Sequence, residues 1–415
     1  MEQWKKNLII LFAAQFLIRI STTTIKPYLP FFLQELGVNL PEKIAFWAGL
    51  LSSVNFLAQA LFSPMWGSLS DKYGRKLMSL RTILAIGISY LFMYGVTNPY
   101  QLLGLRFLMG TLSGFNAAAT ALIATTTPVE HLGYAIGVLQ TGRTGGTIFG
   151  PAIGGIIADI FGYRGSFIIA GCITLIGFPF ILFGVKEEKF SNDVIKVNED
   201  ITTDNKGKSK KKDFGFGEAI KIINKSPIIL FMFLAIFLSQ FGLQSMDAML
   251  PIFIKSIYRG TRLNTAVSII FAISSVAVVI MAPYWGKLGD KIGHQKILLI
   301  SIVGSGLFTF FQVFTNNILQ LAVLRFLSAG FDAGILPSAH AMIAKSCPEE
   351  NRGSVYGVAS GITAIGNFSG PMIGGIIAAL IGIKSIFPIT AALMLAGAAA
   401  IYVNGRMIKN NEIQS

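Results

Sequence analysis

Seven ionisable residues lie inside stretches of the sequence that are otherwise apolar. They are Arg19, Lys26, Arg106, Arg143, Asp247, Arg325 and Asp332. A charge at the centre of a bilayer costs about 2.5–3.5 kcal/mol on insertion scales unless it is paired or hydrated, so such residues mark ion pathways, ligand sites or interhelical ion pairs. A carboxyl group in this setting can gain and lose a proton, whereas an arginine stays charged and can hold an anion or influence a neighbouring carboxyl group.

Composition predicts a membrane protein as the scaffold for these charges. Of 415 residues, 53% are hydrophobic and 13% are charged, and the mean hydropathy is +0.64. A bilayer core of about 30 Å needs about 20 apolar residues per helix, and helices satisfy their own backbone hydrogen bonds in lipid. The sequence therefore predicts an all-α membrane protein with twelve transmembrane helices at 7–33, 45–66, 77–97, 100–124, 133–158, 164–185, 227–254, 264–285, 296–316, 318–344, 353–380 and 384–405.

The distribution of the 34 Lys and Arg residues predicts the orientation. Most of them fall on one side of the predicted spans if both termini share that side, and positive loops stay in the cytoplasm. We therefore expect a multi-pass protein of the cytoplasmic membrane with both termini cytoplasmic. The net charge of +14 then reflects topology, and no nucleic-acid partner is expected.

One long polar segment, 186–226, divides the chain into an N-terminal half at 1–185 and a C-terminal half at 227–415. Its lysine run predicts a solvated cytoplasmic linker, with a lipid or partner site as the alternative. Residues 214–223 have apolar spacing that suits a short helix in the membrane interface.

The two halves repeat each other at an offset of about 220 residues. The repeated segments are 64–76 with 283–295, 105–108 with 324–327, and 150–155 with 370–375. Two six-helix bundles of the same orientation place a pseudo-twofold axis along the membrane normal, with a substrate site between them near the midplane.

Two of these segments resemble known family motifs. Residues 67–75 match the G-x-L-x-D-x-x-G-R signature of the major facilitator superfamily, and residues 142–155 resemble the glycine-rich span-five motif of its drug/proton antiporters. At closer range 4–9, 77–81, 121–125 and 324–326 are similar to the MdtG/PmrA-type multidrug exporters. The resemblance implies the twelve-helix fold of that superfamily, with spans one, four, seven and ten lining the cavity.

The resemblance also implies roles for individual residues. Arg106 is similar to the span-four arginine associated with proton coupling, with structural ion pairing as the alternative. The span-five motif, which the family associates with export, maps onto Gly142, Gly146, Gly150, Pro151 and Gly155. Close packing of small residues is the alternative for that motif, because span eleven repeats much of it.

Asp332 is the first candidate for the proton-binding site, with an interhelical structural pair as the alternative. It lies seven residues beyond Arg325 in span ten, on a similar helix face, and we expect it beside Arg19 or Arg143. Asp247 is the second candidate. Aligning the Leu-Pro pairs at 29–30 and 250–251 puts Lys26 opposite Asp247 across the pseudo-axis, which predicts an ion pair that closes an outer gate, and exchanging the two charges should preserve transport better than neutralising either one. Arg19, Lys26, Arg143 and Arg325 are candidates for cavity charge or substrate contact.

The loop at 67–76 predicts a second, cytoplasmic gating element. Asp71 is expected to cap a helix start and pair with Arg75 or a neighbouring helix end, which would hold one arrangement of the two bundles and release it in the other. The alternative is a well-capped turn that only follows the positive-inside rule. Its repeat keeps Asp290 but has His294 and Gln295 in place of Arg75 and Lys76, so we expect the two loops to act unequally.

Together these features predict a secondary active transporter that exports drugs or other small amphiphiles in exchange for protons. The seven charges sum to +3 and spans one to six lack interior acids, which favours neutral or anionic substrates. The sequence has no G-x-x-x-x-G-K-[ST] loop, so ATP is not implied. No metal or other cofactor is expected besides the coupling proton. The protein is predicted to be a monomer in the lipid bilayer. The alternatives are a carrier that takes up or exchanges a metabolite and, less favoured, a non-transporting receptor; no catalytic constellation predicts an enzyme.

Overall fold

The computed structural model describes residues 2–187, 226–348 and 351–414, and over these ranges it consists of α-helices joined by short turns and 3-10 segments. The lysine run and the interfacial helix predicted at 214–223 lie outside the described residues. The linker prediction for 186–226 therefore stays a prediction.

The helices are numbered here in chain order. The first half contains α1 (Gln3–Thr24), α2 (Leu29–Glu35), α3 (Pro41–Tyr73), α4 (Arg75–Tyr94), α5 (Pro99–Thr111), α6 (Phe115–Thr126) and α7 (Leu132–Gly184). The second half contains α8 (Pro227–Ile257), α9 (Leu263–Ile292), α10 (His294–Phe311), α11 (Ile318–Asp332), α12 (Ile335–Ser346), α13 (Arg352–Ile381) and α14 (Ile386–Gln414).

Eleven helical segments of the described chain are long and apolar enough to cross a membrane. One of them, Val129–Gly184, has 56 residues and would measure about 80 Å as a straight helix, far more than a bilayer core. It bends at Gly162, whose φ of 72° lies in the region that favours glycine. The bend falls between the predicted spans five and six, so the eleven segments provide twelve crossings.

Three of the predicted spans are interrupted by a short turn, so each is built from two helices. The span at 7–33 is broken by a turn at residues 25–28, where Pro27 disfavours helical geometry in the residue before it. The span at 100–124 is broken before Gly114, which has a φ of 141°. The span at 318–344 is broken at residues 333–334, because Pro337 has no N–H to bond back to the preceding turn.

Matching hydrogen bonds confirm the pseudo-symmetry of the two halves. The Trp66 indole N–H donates to the carbonyl of Thr111, and the repeated Trp285 donates to the carbonyl of Gly330 at 2.7 Å. In the same way, the Asn98 side chain caps α5 at 3.0 Å and the Asn317 side chain caps α11 at 2.9 Å.

The halves meet most closely along two symmetry-related contacts, α3 with α13 and α7 with α9. Gly375 lies against the backbone of Ala45 and Gly49, and Gly155 lies against the carbonyl of Asn264 and the hydroxyl of Ser268. The largest apolar cluster contains buried residues from both halves, including Phe31 and Phe253. These contacts lie toward the end of the molecule that holds the 25–28 turn, which we call the closed end.

Candidate functional site

A three-residue ion cluster joins the two halves at the closed end. Asp247, on α8, accepts a hydrogen bond from Lys26 Nζ at 3.1 Å and one from Arg325 Nη2 at 3.0 Å, each through a different carboxylate oxygen. Arg325 is almost fully buried, whereas Lys26 is one-third exposed. Lys26 lies in the turn between α1 and α2, so the break in span one presents its ammonium group to the opposite half.

The sequence repeat predicted that Lys26 and Asp247 face each other, and the structure places them in contact. It did not predict that Arg325 holds the second oxygen of Asp247. The signal was available in the sequence, since Arg325 lies on a span expected to line the same cavity. With both oxygens engaged, the Asp247 carboxylate has two cationic partners.

Asp332 lies in a different environment from the one expected. Its carboxyl group accepts a hydrogen bond from the Ser239 hydroxyl of α8 at 3.0 Å. The prediction that it lies next to Arg19 or Arg143 was wrong: Asp332 is the last residue of α11 and packs against its own half, whereas the two arginines belong to α1 and α7. Among the described residues Asp332 forms no ion pair.

The N-terminal half contributes three arginines. Arg19, on α1, donates from Nε to the Thr147 hydroxyl of α7 at 2.9 Å. Arg143 lies on α7 close enough to Arg19 for electrostatic repulsion, and both are partly exposed. Arg106, on α5, is 7% exposed.

Asp159 forms a contact between the halves that the sequence did not predict. It lies on α7 just beyond the predicted end of span five and reaches the first turn of α9 in the opposite half. Its carboxylate accepts hydrogen bonds from the Asn264 side chain at 2.7 Å, from the Thr265 backbone N–H at 2.8 Å and from the Thr265 hydroxyl at 2.6 Å. Asp159 therefore caps a helix of the other half, which nothing in the local sequence indicates.

The loop predicted at 67–76 was wrong in extent, because α3 continues to Tyr73 and α4 begins at Arg75, which leaves only Gly74 outside the helices. This junction lies at the opposite end of α3, about 50 Å from the first residue of that helix. Asp71 pairs with Arg75 at 3.3 Å, but the prediction that Asp71 caps a helix start was wrong, because it lies in the last turn of α3. Glu187 performs the capping instead. Its two oxygens accept the backbone N–H groups of Arg75 and Lys76 at 2.8 and 2.9 Å, at the start of α4.

The repeated loop has the same backbone with different side-chain partners. Gly74 and Gly293 have φ angles of 99° and 96°. In the second copy Asp290 contacts the buried His294 ring at 3.2 Å, whereas in the first copy the equivalent Asp71 pairs with Arg75. The expected inequality of side-chain chemistry is present; the gating roles of Asp71, Arg75 and Asp290 stay predictions.

The glycine motif of span five packs in the same way as its repeat in span eleven. Gly142, Gly146 and Gly150 face α1, where an added Cβ would meet backbone or side-chain atoms, and Pro151 is buried beside them. In the second half Gly366, Gly370 and Gly374 face α8 in the corresponding way. This equivalence favours the close-packing alternative for those positions. Gly155 differs from the other motif glycines because it touches the opposite half.

Comparison with known proteins places these features in context. The family model described as Major Facilitator Superfamily matches residues 11–261 and 260–411. A multidrug resistance protein MdtG of Yersinia enterocolitica is 34% identical over 401 residues, 96% of this chain and 93% of the relative. MdtG of Escherichia coli O17:K52:H18 is 33% identical over 394 residues, 94% and 92% of the two chains.

Solved structures share the fold at low sequence identity. A bacterial homolog of the human lysosomal transporter Spinster, in an inward-facing and unoccupied conformation, superposes with a TM-score of 0.76 at 16% identity and covers 98% of both chains. The nucleoside transporter NupG superposes with a TM-score of 0.75 at 15% identity, covering 97% of this chain and 99% of its own. At these identities the likeness is one of fold.

Proposed function

The chain belongs to the major facilitator superfamily and is a multi-pass membrane transporter, not an enzyme, and from that premise we propose that it exports drugs or other small amphiphiles in exchange for protons. The two relatives that carry the name multidrug resistance protein support export of this substrate class. The +3 charge of the intramembrane residues favours neutral or anionic compounds among such substrates.

The observation that carries the proposal is the unequal pairing of the two intramembrane carboxyl groups. Asp247 has a cation on each oxygen, whereas Asp332 has the Ser239 hydroxyl as its partner. A carboxylate between two cations is held in its charged form, while one in an apolar span without an ion pair can exchange its proton as water access changes. Asp332 is therefore our proton carrier and Asp247 is the gating residue.

Alternating access follows from this division of roles. When the closed end is shut, Lys26 of the first half is bound to Asp247 of the second; when that end opens, the contact separates and Arg325 retains the carboxylate. Arg106 would take part in proton coupling, and Asp71, Arg75 and Asp290 would control the opposite end. With the predicted orientation, the closed end faces outward, both termini are cytoplasmic, and the cytoplasmic membrane is the site of action.

The test is substrate-induced proton movement in liposomes that contain the purified full-length protein and a pH-sensitive dye. We expect cationic, neutral and anionic drugs to differ in effect, and Asp332→Asn to abolish proton movement while substrate binding persists. Glu130→Gln, which neutralises an exposed carboxylate, serves as the matched control and should behave as the parent. Substrate transport without proton movement in folded protein would contradict antiport and favour a metabolite carrier.

A further inference from the structure

The first half contains a cluster of hydrogen-bond donors that includes neither the Lys26–Asp247 contact nor Asp332; of its members only Arg106 has a part in the proposed proton coupling. Arg106 lies near Tyr28 and Tyr90. Arg19 bonds to Thr147, which is one helical turn from Arg143 on α7 and donates to its carbonyl group. Both tyrosines are fully buried and Arg106 is 7% exposed. The cluster thus joins α1, α4, α5 and α7 within one half of the molecule.

No counter-ion accompanies these positive charges. In the described part of the chain none of Arg19, Arg106 and Arg143 forms an ion pair. The Nε group of Arg106 and the hydroxyl group of Tyr90 are buried without a hydrogen-bond partner among the described residues. Buried cations and donors without partners cost several kcal/mol, and an anion that enters the cluster removes much of that cost.

The acids of the second half do not supply this anion. Asp247 already holds Lys26 and Arg325, and Asp332 is bonded to Ser239 on α8. Asp159, the acid nearest to the cluster along α7, has its two oxygens bonded to Asn264 and Thr265. The negative group must come from outside the described protein.

Three phenylalanines lie within two helical turns of the partly exposed arginines. Phe16 precedes Arg19 by three residues on α1, and its ring is 6.1 Å from that of Phe149 and 6.4 Å from that of Phe12. Phe149 is 52% exposed. An anionic group bound at Arg19 would therefore hold an attached aromatic or aliphatic body against this apolar surface.

We propose that Arg19 and Arg143, backed by the buried Arg106 and Tyr90, bind the carboxylate, sulfonate or phosphonate group of an amphiphilic substrate. This inference deepens the proposed function, since it names the substrate class and the residues that select it. Arg19 and Arg143 contact the anion directly because both are partly exposed. A lipid headgroup phosphate offers the same chemistry as a free anion, and the experiment distinguishes the two.

The experiment measures calorimetric binding of three probes of one shape to the full-length protein in phosphatidylcholine nanodiscs. The probes are naphthalene-2-sulfonate, the neutral naphthalene-2-sulfonamide and the cationic 2-naphthyltrimethylammonium. We expect the sulfonate to bind most tightly. Arg19→Gln and Arg143→Gln should each weaken sulfonate binding by about tenfold to a hundredfold, the range for a hydrogen bond to a charged group, and leave sulfonamide binding unchanged.

Matched variants separate a binding site from a general effect of charge or folding. Arg164→Gln removes a partly exposed positive charge elsewhere and should leave sulfonate affinity unchanged. Arg19→Lys keeps the charge and should recover part of the loss. Unchanged sulfonamide binding reports that each variant is folded. Competition by phosphatidylglycerol that is lost in Arg19→Gln supports the anion site and identifies lipid phosphate as an occupant.

Two results would overturn the inference. One is a sulfonate that binds no more tightly than the sulfonamide, and the other is sulfonate affinity that both glutamine variants retain. Neither result depends on proton exchange, because binding is measured without a gradient. A protein that binds the sulfonate through Arg19 and Arg143 but moves no protons would keep its anion site and lose the proposed antiport.

Discussion

The two halves share a backbone plan and differ in their charged residues. Trp66 and Trp285 make matching hydrogen bonds, and Gly155 and Gly375 make matching contacts across the interface. The interior of the first half holds arginines without acids, whereas the interior of the second half holds both intramembrane aspartates. The repeat therefore specifies how the halves pack, and the charged residues that break the repeat give each half different contacts.

The difference is sharpest at the ion cluster, where one charge of the first half meets two of the second. Arg325 and Asp247 form a pair within the second half, and Lys26 adds the link between halves. The Asp247 carboxylate thus contacts one cation within the second half and one cation of the first half. The predictions below test how far the halves are equivalent, in order of expected effect.

Removing the Asp247 charge should have the largest effect. Asp247→Asn leaves Arg325 buried without a counter-ion. It should lower the free energy of unfolding by about 3–5 kcal/mol, which is detected as a lower melting temperature of the purified protein. Lys26→Gln leaves the internal pair intact and should cost about 1 kcal/mol or less. Equal losses for the two variants would contradict the view that Arg325 and Asp247 form a unit.

The charge exchange predicted from the sequence also changes in light of Arg325. Lys26→Asp combined with Asp247→Lys would place a second cation against Arg325, so the exchange should restore transport poorly unless Arg325→Gln is added. Transport rates of the double and triple variants in liposomes measure this. Full recovery by the double variant would show that Arg325 does not act on the gate.

The interface glycines should respond equally if the scaffold is symmetric. Gly155→Ala and Gly375→Ala should each cost about 1–3 kcal/mol, because the added methyl group meets backbone atoms of the opposite half. Gly137→Ala and Gly361→Ala have open space and serve as controls within the same helices. Melting temperature and transport rate report the effect. A loss of transport rate in Gly155→Ala but not in Gly375→Ala would support a special role of the span-five motif in export.

The helix cap provided by Asp159 has no equivalent in the second half, where Ala379 occupies the repeated position. Asp159→Ala should cost about 0.5–2 kcal/mol, the usual range for a lost N-terminal cap. Combined with Thr265→Val, it should show a coupling energy in thermal unfolding, since both variants remove the same hydrogen bond. Strict additivity would mean that the contact does not stabilise the closed end.

Glu187 should give the smallest effect. Glu187→Gln keeps one acceptor oxygen, replaces the other with an amide NH2 group that cannot accept a hydrogen bond, and removes the negative charge at the start of α4. The charge is worth about 0.3–1 kcal/mol at low ionic strength. The difference in melting temperature from the parent should shrink as salt is added, because salt screens charges near the surface. A difference that does not depend on salt would point to a change in packing.

Hydropathy and the repeat were sufficient to predict the twelve crossings, the bundle symmetry and the facing positions of Lys26 and Asp247. Periodicity did not reveal the breaks in spans one, four and ten, because the flanking apolar residues continue through them. Pro27 and Gly114 were local indications of two breaks. The third break has local indications too, because Asp332 and Gly334 flank it and Pro337 follows it.

The partners of charged residues were harder to predict. Asp332 was expected near Arg19 because a buried carboxylate needs compensation, but a serine on the neighbouring helix provides a hydrogen bond instead. Asp159 and Glu187 act on helix starts distant in sequence. Capping across a fold leaves no spacing pattern along the chain, so such contacts require the tertiary structure.

The glycine contacts at 155 and 375 also bear on the speed of the transport cycle. At each of these two contacts a glycine without a side chain packs against atoms of the opposite half. Few side chains therefore have to separate there when the halves move apart. The contacts that must separate are then the apolar cluster around Phe31 and Phe253 and the polar contacts of Lys26, Asp159 and Lys255, the last of which donates to Gln34 across the interface at 3.0 Å. Turnover should therefore be tunable by altering a few hydrogen bonds without redesigning the helices.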